Sequence, residues 1–545
     1  MLNDPPKQAR MNARVSRRAF LSSSAVFLSL PALPHAAIGQ SLSGGQRLVV
    51  AADSEPRNLN PAIVASNGVF FVASKVIEPL AEASYEGKNG LSPRLAVDWE
   101  GSGDGRTVTF KLRQGVTWHD GRPFTSADVA FSALQVWKPL QNLGRIVFKD
   151  LEAVDTPDAY TAVFRFAKPV PFQLIRNALP ALTSVVPRHI FEGKDITTNP
   201  ANTALIGTGP FKLIEHRPGQ YYRLQRNRAY WGEDQPKIEE IIFRVLPDRA
   251  AAASALEVNE IQLAAFSAVP LADLERIAQD PELAVISKGY EALTYQLIVE
   301  INHRRKELAD VRVRRAIAHA IDKEFVVKTI FLGYAKPSTG PVPQYDTQFY
   351  TPDVVRYPFD PVKANVLLDE AGYSRDANGI RFSLKLLPAP YFNETKQFGE
   401  YLRQALAKVG INAVLVNNDS AAHQKAVYTD HDFDLTVAPP VYRGDPAIST
   451  TILVQSGQPA GVPFSNQGGY ANPRLDDLIT KAAGTVDETT RSGLYREFQR
   501  LVGEDLPLIN VAEWGFITVA RKNVIGVSNN PRWAVSNWAD TRLEQ

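Results

Sequence analysis

The sequence predicts an α/β protein that is divided into at least two lobes. Its 545 residues exceed the roughly 250 to 300 residues at which a single hydrophobic core stops growing. Strand-like and helix-like segments alternate in the second half, which favours an α/β lobe. The composition, 44% hydrophobic and 22% charged with no cysteine, excludes collagen-like, disulfide-rich and low-complexity chains. A cleft between lobes is therefore expected.

The first forty residues have the layout of a bacterial export signal. A basic start is followed by Ser16-Arg17-Arg18-Ala19-Phe20-Leu21, an apolar run to Leu33 and small residues at 36, 37 and 39. The twin arginines before Phe-Leu resemble the signal of the twin-arginine route, which exports folded proteins; an ordinary secretory signal is the alternative. The apolar run is shorter than the roughly 20 residues that cross a bilayer. We expect residues 1–40 to be a signal peptide that is removed.

Charge and cysteine usage indicate a soluble protein in the periplasm. The chain has a formal net charge of +2, but residues 1–40 carry five basic residues and Asp4, so residues 41–545 carry −2. This balance gives no field that would hold nucleic acid or an anionic membrane. A chain without cysteine has no N-terminal cysteine to lipidate. We therefore expect no nucleic-acid partner, no membrane insertion and no lipid anchor.

The first elements follow from apolar patterns. Leu48–Ala52 is typical of a buried strand, and it leads into a polar loop at 53–61. Such loops at strand ends are common ligand sites. Strict alternation over Arg106–Arg113 predicts a half-buried strand. The turn Gln114-Gly115 before Val116–Trp118 suggests a hairpin with that strand.

A helix and further strands are expected next. Thr125 and Asp128 have the spacing of a capping box, which predicts a helix start. Residues 205–210, with two glycines, indicate a tight connection. Three more segments have the composition of strands: Thr161–Phe166, Tyr221–Gln225 and Ile241–Val245.

The second half reads as alternating helices and strands. Asp310 precedes residues 311–321, whose apolar positions have helical spacing, so we expect it to cap a helix. Helices at about 362–371 and 395–409 flank a strand at Phe382–Leu387. Another strand, Ile411–Val416, follows the stop signal Gly410.

Known catalytic and metal motifs are absent from the sequence. There is no G-x-S-x-G elbow, no H-E-x-x-H pair and no P-loop. The eight histidines include no pair at i, i+4 spacing, and without cysteine there is no thiolate ligand. We expect no catalytic residues, no metal and no cofactor. An alternative is a secreted hydrolase that uses His119 with Asp120, or His431 with its neighbouring aspartates, for acid/base chemistry.

Several segments resemble one family. Residues 93–100, 107–116 and 119–129 are similar to the signature of the extracellular solute-binding protein family 5, the periplasmic dipeptide-, oligopeptide- and nickel-binding proteins of ABC importers. The similarity continues, in the family's order, in residues 207–212, 226–232, 310–322 and 470–476.

The resemblance implies a two-lobed α/β periplasmic binding protein fold, type II and cluster C-like, with an α+β subdomain inserted in lobe one. Lobe one would comprise residues 41–82, 210–295 and 515–545. Residues 83–209 would form the insert, and residues 296–514 lobe two. Closure of the lobes would bury the solute.

The resemblance also implies the role and the partners. The protein would be a monomeric substrate-binding component that captures a small-molecule or peptide-like solute and delivers it to the permease subunits, with their ATPase, of an ABC importer. The alternatives within this role are an opine, a sugar-amino acid conjugate or a metal chelate. A sensor or chaperone role in addition to import stays open.

Family members hold ligands with two loops, whose positions here can be named. The first loop supplies Arg57, Asn58, Leu59 and Asn60, and the second supplies residues 441–445 before Pro446. Peptide-binding relatives carry an aspartate where this chain has Tyr442, so capture of an α-ammonium group would depend on Asp445 or a nearby glutamate.

Three further side chains complete the expected site. Arg443 has the fork geometry to hold a carboxylate, and Tyr391 and Trp514 could stack on a ligand. The alternative roles are turn formation for Asp445, surface exposure for Arg443, and packing for Tyr442 and the two aromatic residues.

Overall fold

The computed structural model describes residues 46–64 and 66–544. The predicted signal peptide, residues 1–40, lies outside the described residues. None of the helices in the described part is long and apolar enough to cross a membrane.

The described residues form strands and helices along their whole length. The strands are β1 Arg47–Ala52, β2 Ala81–Ala83, β3 Leu91–Pro93, β4 Ala96–Gly101, β5 Thr107–Leu112, β6 Leu151–Asp158, β7 Thr161–Phe166, β8 Phe211–Arg217, β9 Tyr221–Arg226, β10 Glu240–Val245, β11 Leu263–Ala264, β12 Leu283–Ile286, β13 Tyr295–Ile301, β14 Ala335–Pro337, β15 Phe382–Pro388, β16 Ile411–Leu415, β17 Leu435–Ala438, β18 Leu508–Trp514, β19 Thr518–Arg521, β20 Val524–Ile525 and β21 Arg542–Leu543. The α-helices are α1 Asn67–Ala73, α2 Ser126–Phe131, α3 Lys138–Leu140, α4 Asn142–Val147, α5 Phe172–Leu182, α6 Arg188–Phe191, α7 Arg249–Glu257, α8 Leu274–Ile277, α9 Lys306–Ala309, α10 Val311–Ala320, α11 Lys323–Thr329, α12 Pro361–Glu370, α13 Asn393–Lys408, α14 Ser420–Gln424, α15 Pro473–Gly484 and α16 Glu488–Asp505.

A seven-stranded sheet with the order β12-β19-β11-β1-β10-β9-β8 contains the first strand near its centre. β1 pairs in parallel with β10 and β11. Leu48 and Val50 of β1 are fully buried, because a strand with neighbours on both sides and helices packed on the sheet has little contact with water. The polar loop after β1 therefore begins at the carboxyl end of a central, buried strand.

A six-stranded sheet with the order β14-β18-β13-β17-β15-β16 forms the second large layer. β15 is parallel to β16 and β17, whereas β13 is antiparallel to β17 and β18. Helix α13 connects β15 to β16 and buries Phe398, Leu402 and Leu406, which have helical spacing on one face. The loops after β15 and β17 leave the sheet at the same edge, since the two strands are parallel.

A four-stranded antiparallel sheet has the order β4-β5-β7-β6. In the sequence, this sheet and helices α2 to α6 come after β1 and before β8, both of which belong to the seven-stranded sheet. Its core includes Phe110, Phe164, Trp118 and Trp137. This α+β unit contains the strand that the alternation at 106–113 predicted.

Most predicted elements are confirmed. Helix α10 begins after Asp310, whose side chain accepts a hydrogen bond of 2.8 Å from the backbone of Arg312. The capping box at the start of α2 is present, and the backbone N–H of Thr125 donates to Asp128 at 3.0 Å.

The hairpin predicted after Gly115 is wrong in its partner. β5 pairs with β4 and β7, so both of its edges are occupied. Residues 116–118 instead turn back onto residues 122–124, with a bridge between Thr117 and Pro123. The loops after β1 and after β17 contain most of the residues that were predicted to hold a ligand.

Candidate functional site

The loop after β17, residues 439–446, is tied to the start of β13. The backbone N–H of Tyr442 donates to the carbonyl of Thr294 at 2.8 Å, and Val441 forms a bridge with Tyr295. Gly444 has a φ of 78°, a left-handed conformation that favours glycine. The backbone of this loop is therefore held in one course by the six-stranded sheet.

Asp445 is part of a buried ion pair. Arg491, from α16, donates to both carboxylate oxygens at 2.8 Å, and neither side chain is exposed. The same guanidinium donates to Gln173 of α5 at 2.8 Å and to the carbonyl of Ala482 at 3.1 Å. The carboxylate of Asp445 is therefore neutralised inside the protein by a partner on another element.

Tyr442 is also engaged by the protein. Its hydroxyl donates to Asp346 at 2.5 Å, and its side chain is completely buried. Burial raises the pKa of Asp346 to about 6. The ring lies edge-on to Tyr345, with 6.0 Å between the ring centroids. The resemblance implied a ligand-pairing aspartate at this position in peptide-binding relatives, whereas here a tyrosine packs into the core.

Arg443 differs from Tyr442 and Asp445, because its side chain has no strong partner: its charge has no carboxylate partner among the described residues. Its only side-chain hydrogen bond there is a long one, 3.4 Å, to the carbonyl of Val441. Its backbone is fixed by a 2.9 Å bond from its N–H to Ser449. Burial lowers the pKa of its guanidinium.

The loop after β1 uses most of its predicted residues to build itself. Asn58 accepts a hydrogen bond of 2.7 Å from the backbone of Asn60. Asn60 in turn is buried and donates to Asn202 at 2.9 Å, and Leu59 packs in the core beside β1. Arg57 is exposed. Of the four predicted residues, Arg57 and Asn58 therefore retain contact with solvent, whereas Leu59 and Asn60 do not.

Of the two predicted aromatic residues, Trp514 is the last residue of β18, and Tyr391 lies in the loop between β15 and α13. Trp514 contacts Tyr295, with 5.5 Å between ring centroids, and Phe392, with 6.1 Å. Tyr391, next to Phe392, packs edge-on against His423 at 5.9 Å. The Tyr391 hydroxyl is buried and has no hydrogen-bond partner within the described chain.

Three side chains that sequence reasoning missed lie beside the second loop. Asn67, the first residue of α1, donates to the hydroxyl of Tyr295 at 3.1 Å. Tyr345 has a buried hydroxyl without a partner among the described residues. Arg532 is 8% exposed and makes no side-chain hydrogen bond or ion pair with the residues described. None belongs to a motif, and no sequence signal marks them.

Contacts cross from the elements of the seven- and four-stranded sheets to those of the six-stranded sheet. Arg176 of α5 donates to Glu488 of α16 at 2.9 and 3.3 Å. Asn177 donates to the carbonyl of Gly444 at 3.1 Å. With the contact between Asn67 and Tyr295, these bonds join the two groups of elements around the loop after β17.

Comparisons with known proteins agree on one family. The model for bacterial extracellular solute-binding proteins, family 5 Middle, matches residues 90–461. This chain belongs to that family. The dipeptide-binding protein of Escherichia coli (strain K12) is 28% identical over 534 residues, which cover 92% of this chain and 95% of that protein. The glutathione-binding protein GsiB of Pectobacterium atrosepticum is 26% identical over 468 residues, covering 82% and 86%.

A solved structure supports the same fold. The ABC transporter substrate binding protein CtaP of Listeria monocytogenes matches with a TM-score of 0.80 at 25% identity, over 92% of this chain and all of that one. The fold is thus the two-lobed α/β fold of family 5, as the resemblance implied.

The histidines named for a hydrolase take part in structural contacts. His119 accepts a hydrogen bond from the backbone of Gly207 at 3.3 Å and donates to the carbonyl of Gly209 at 3.0 Å. Burial lowers the pKa of His119 to about 4, so the ring is neutral at pH 7. Asp120 pairs with His189 instead, at 2.7 Å. Across the described residues, no group of three or more His, Cys, Asp or Glu side chains is arranged to hold a metal ion.

Proposed function

We propose that this protein is the substrate-binding component of an ABC importer, which captures a peptide-like solute between two closing lobes and delivers it to the membrane permease. The observation that carries the proposal is the set of contacts that Asn67, Arg176 and Asn177 make between the two groups of sheets, in a chain of a solute-binding family. Closure around a solute replaces its water shell with fixed protein groups. The closed form then presents a distinct surface to the permease.

We place the lobe boundaries where the sequence suggested them. Lobe one comprises 41–82, 210–295 and 515–545, the insert 83–209 and lobe two 296–514. Two observations support this division. Every strand of the seven-stranded sheet falls within the first set, and the six-stranded sheet lies between residues 295 and 514.

The proposed solute is peptide-like because two similar proteins are named for the dipeptides and glutathione that they bind. A second candidate class is an opine, a sugar-amino acid conjugate or a metal chelate. It is favoured by the bond between Tyr442 and Asp346 and by the pairing of Asp445 with Arg491, which leave no free aspartate on this loop for an ammonium group.

The proposed site comprises the two loops and the aromatic residues between them. Arg443 is its most available polar group, and Arg57 and Asn58 are available in the first loop. Binding is reversible and involves no cofactor and no covalent step. The protein is proposed to be a soluble periplasmic monomer that leaves the cytoplasm by the twin-arginine route and carries no lipid anchor.

The test is thermal unfolding of protein purified from the periplasm, scanned against dipeptides, oligopeptides, glutathione and opines. A solute that binds only the folded state adds about 2.7 kcal/mol to the free energy of unfolding at 100 times its Kd. It therefore raises the melting midpoint. X-ray scattering should then show a smaller radius of gyration with that solute. If no solute in the panel shifts the midpoint, or if the bound solute is recovered hydrolysed, the proposal is wrong.

A further inference from the structure

Two arginines, Arg443 and Arg532, have no carboxylate partner among the described residues. Arg532 is 8% exposed, and within the described part of the chain Arg443 makes a single side-chain hydrogen bond, the long one to Val441. By contrast, the buried Arg314 donates to four backbone carbonyls at 2.7 to 3.1 Å. The buried Arg491 holds Asp445 with both arms. Arg314 and Arg491 are therefore held by several strong hydrogen bonds each, and Arg443 and Arg532 are not.

The two arginines come from different lobes. Arg443 lies on the loop after β17 of the six-stranded sheet, whereas Arg532 lies in the C-terminal segment that follows β19 and β20. Helix α5 connects their surroundings. Its Asn177 binds the carbonyl of Gly444, the residue after Arg443, and its Pro180, one turn further, lines the same cavity as Arg532.

Tyr345 provides a second connection. Its ring packs on Tyr442, the residue before Arg443, and it lies near enough to Arg532 to influence the pKa of that guanidinium. Its hydroxyl is buried without a partner among the described residues. A free hydroxyl donor thus accompanies the two free guanidinium groups.

Positive charge predominates in this region. Burial, together with the positive charge of Arg443, lowers the pKa of Arg532 to about 10. Glu82 lines the same cavity, but its carboxylate already binds Arg94 at 2.7 Å and the backbone of Asn537 at 3.1 Å. Two like charges out of water without a free carboxylate are costly. An anion between them would remove that cost.

We propose that Arg443 and Arg532 form an anion-binding pair across the cleft, and that the solute carried by this protein has an acidic group that bridges them. This inference rests on the proposed solute-binding function and names its substrate class. Guanidinium groups bind carboxylate and phosphate in a planar, two-pronged geometry. One acidic group bonded to both lobes would therefore hold them closed.

The first experiment needs no knowledge of the solute. The protein is unfolded in urea, dialysed and refolded without ligand, and the melting midpoints of Arg443→Gln and Arg532→Gln are compared with wild type. Arg496→Gln, an exposed arginine on α16, is the matched control. Loss of an unpaired buried charge is expected to leave the midpoint unchanged or to raise it. A clear fall in both cleft variants would show that the arginines are structural and would overturn the proposal.

The second experiment measures binding by calorimetry with two matched pairs of probes. Ala-Gln is compared with its C-terminal amide, Ala-Gln-NH2, which lacks a carboxylate, and glycerol 3-phosphate with glycerol, so that carboxylate and phosphate sources are distinguished. We expect the acidic member of at least one pair to bind about tenfold more tightly or better, the size of one charge-assisted hydrogen bond. The preference should disappear in both cleft variants and persist in Arg496→Gln.

The solute released from native protein on denaturation, identified by mass spectrometry, should carry an acidic group. A neutral or purely cationic native solute, or binding of both probe members with equal affinity, would overturn the anion proposal and leave the carrier function standing. Failure of every peptide, opine and anionic probe to bind, with no solute released, would instead refute the carrier function itself.

Discussion

Replacing Asp445 with asparagine should destabilise the ligand-free protein strongly. The carboxylate and its partner Arg491 are both fully buried and joined by two bonds of 2.8 Å. Removing one partner of a buried ion pair leaves the other charge uncompensated, at a cost of about 3 to 5 kcal/mol. For a cooperative unit of about 150 to 250 residues, 1 kcal/mol corresponds to about 2 to 4 °C in the melting midpoint. The expected fall is therefore about 6 to 20 °C.

Circular dichroism melts of refolded, ligand-free protein measure this effect. Asp477→Asn is the matched control, because Asp477 pairs with Lys481 on the surface of α15 and such pairs contribute at most about 1 kcal/mol. The double variant Asp445→Asn/Arg491→Met should recover part of the loss, since it leaves no buried charge. A midpoint within about 2 °C of wild type for Asp445→Asn, with weaker solute binding, would show that Asp445 is a ligand contact and not a structural group.

Three further predictions concern closure, packing and pH. Glu488→Gln removes the partly exposed contact with Arg176 and should weaken solute affinity about two- to fivefold in calorimetry, with little change in the ligand-free midpoint; an unchanged affinity would contradict a closing role. Gly207→Ala places a Cβ 1.8 Å from a backbone oxygen and should cost about 1 to 3 kcal/mol or more in urea titrations, whereas Gly103→Ala, which meets nothing within 4 Å, should not. Burial raises the pKa of Glu300 from 4.5 to about 8. As the pH rises between these values, the carboxyl group ionises in the unfolded state before it ionises in the folded state, so the free energy of unfolding of the wild type should fall. Glu300→Gln should flatten that profile in melts at pH 5 to 8, and a parallel profile would refute it.

Local signals predicted the elements well because the forces that form them are local. Asp310 caps α10, and Thr125 and Asp128 form the capping box at the start of α2. Both caps could be predicted because a cap involves residues two or three positions apart. The error at Gly115 has the opposite cause. Whether residues 116–118 pair with β5 depends on β4 and β7, which already occupy both edges of that strand, and no local pattern reports this.

The site was predictable only as far as its loops. The polar run after β1 and the Asp-Pro step at 445–446 are visible in the sequence. The partner of Asp445 is 46 positions away on another helix, so its neutralisation was not visible. Arg532 carries no motif, and only the folded chain places it against α1, with its guanidinium carbon 5.9 Å from the ring centroid of Phe70.

The distribution of paired and unpaired charge links stability to specificity in this protein. The core of lobe two neutralises Asp445 with Arg491 and holds Asp346 with Tyr442, so the loop after β17 is rigid and carries no free negative charge. Its remaining charge is on Arg443, which we have proposed to pair with Arg532 across the cleft. Repulsion between the two arginines would then oppose closure of the lobes without a solute, and an acidic solute would reverse the sign of that interaction. On the proposed function, the same two residues would both select the solute and disfavour the closed form in its absence.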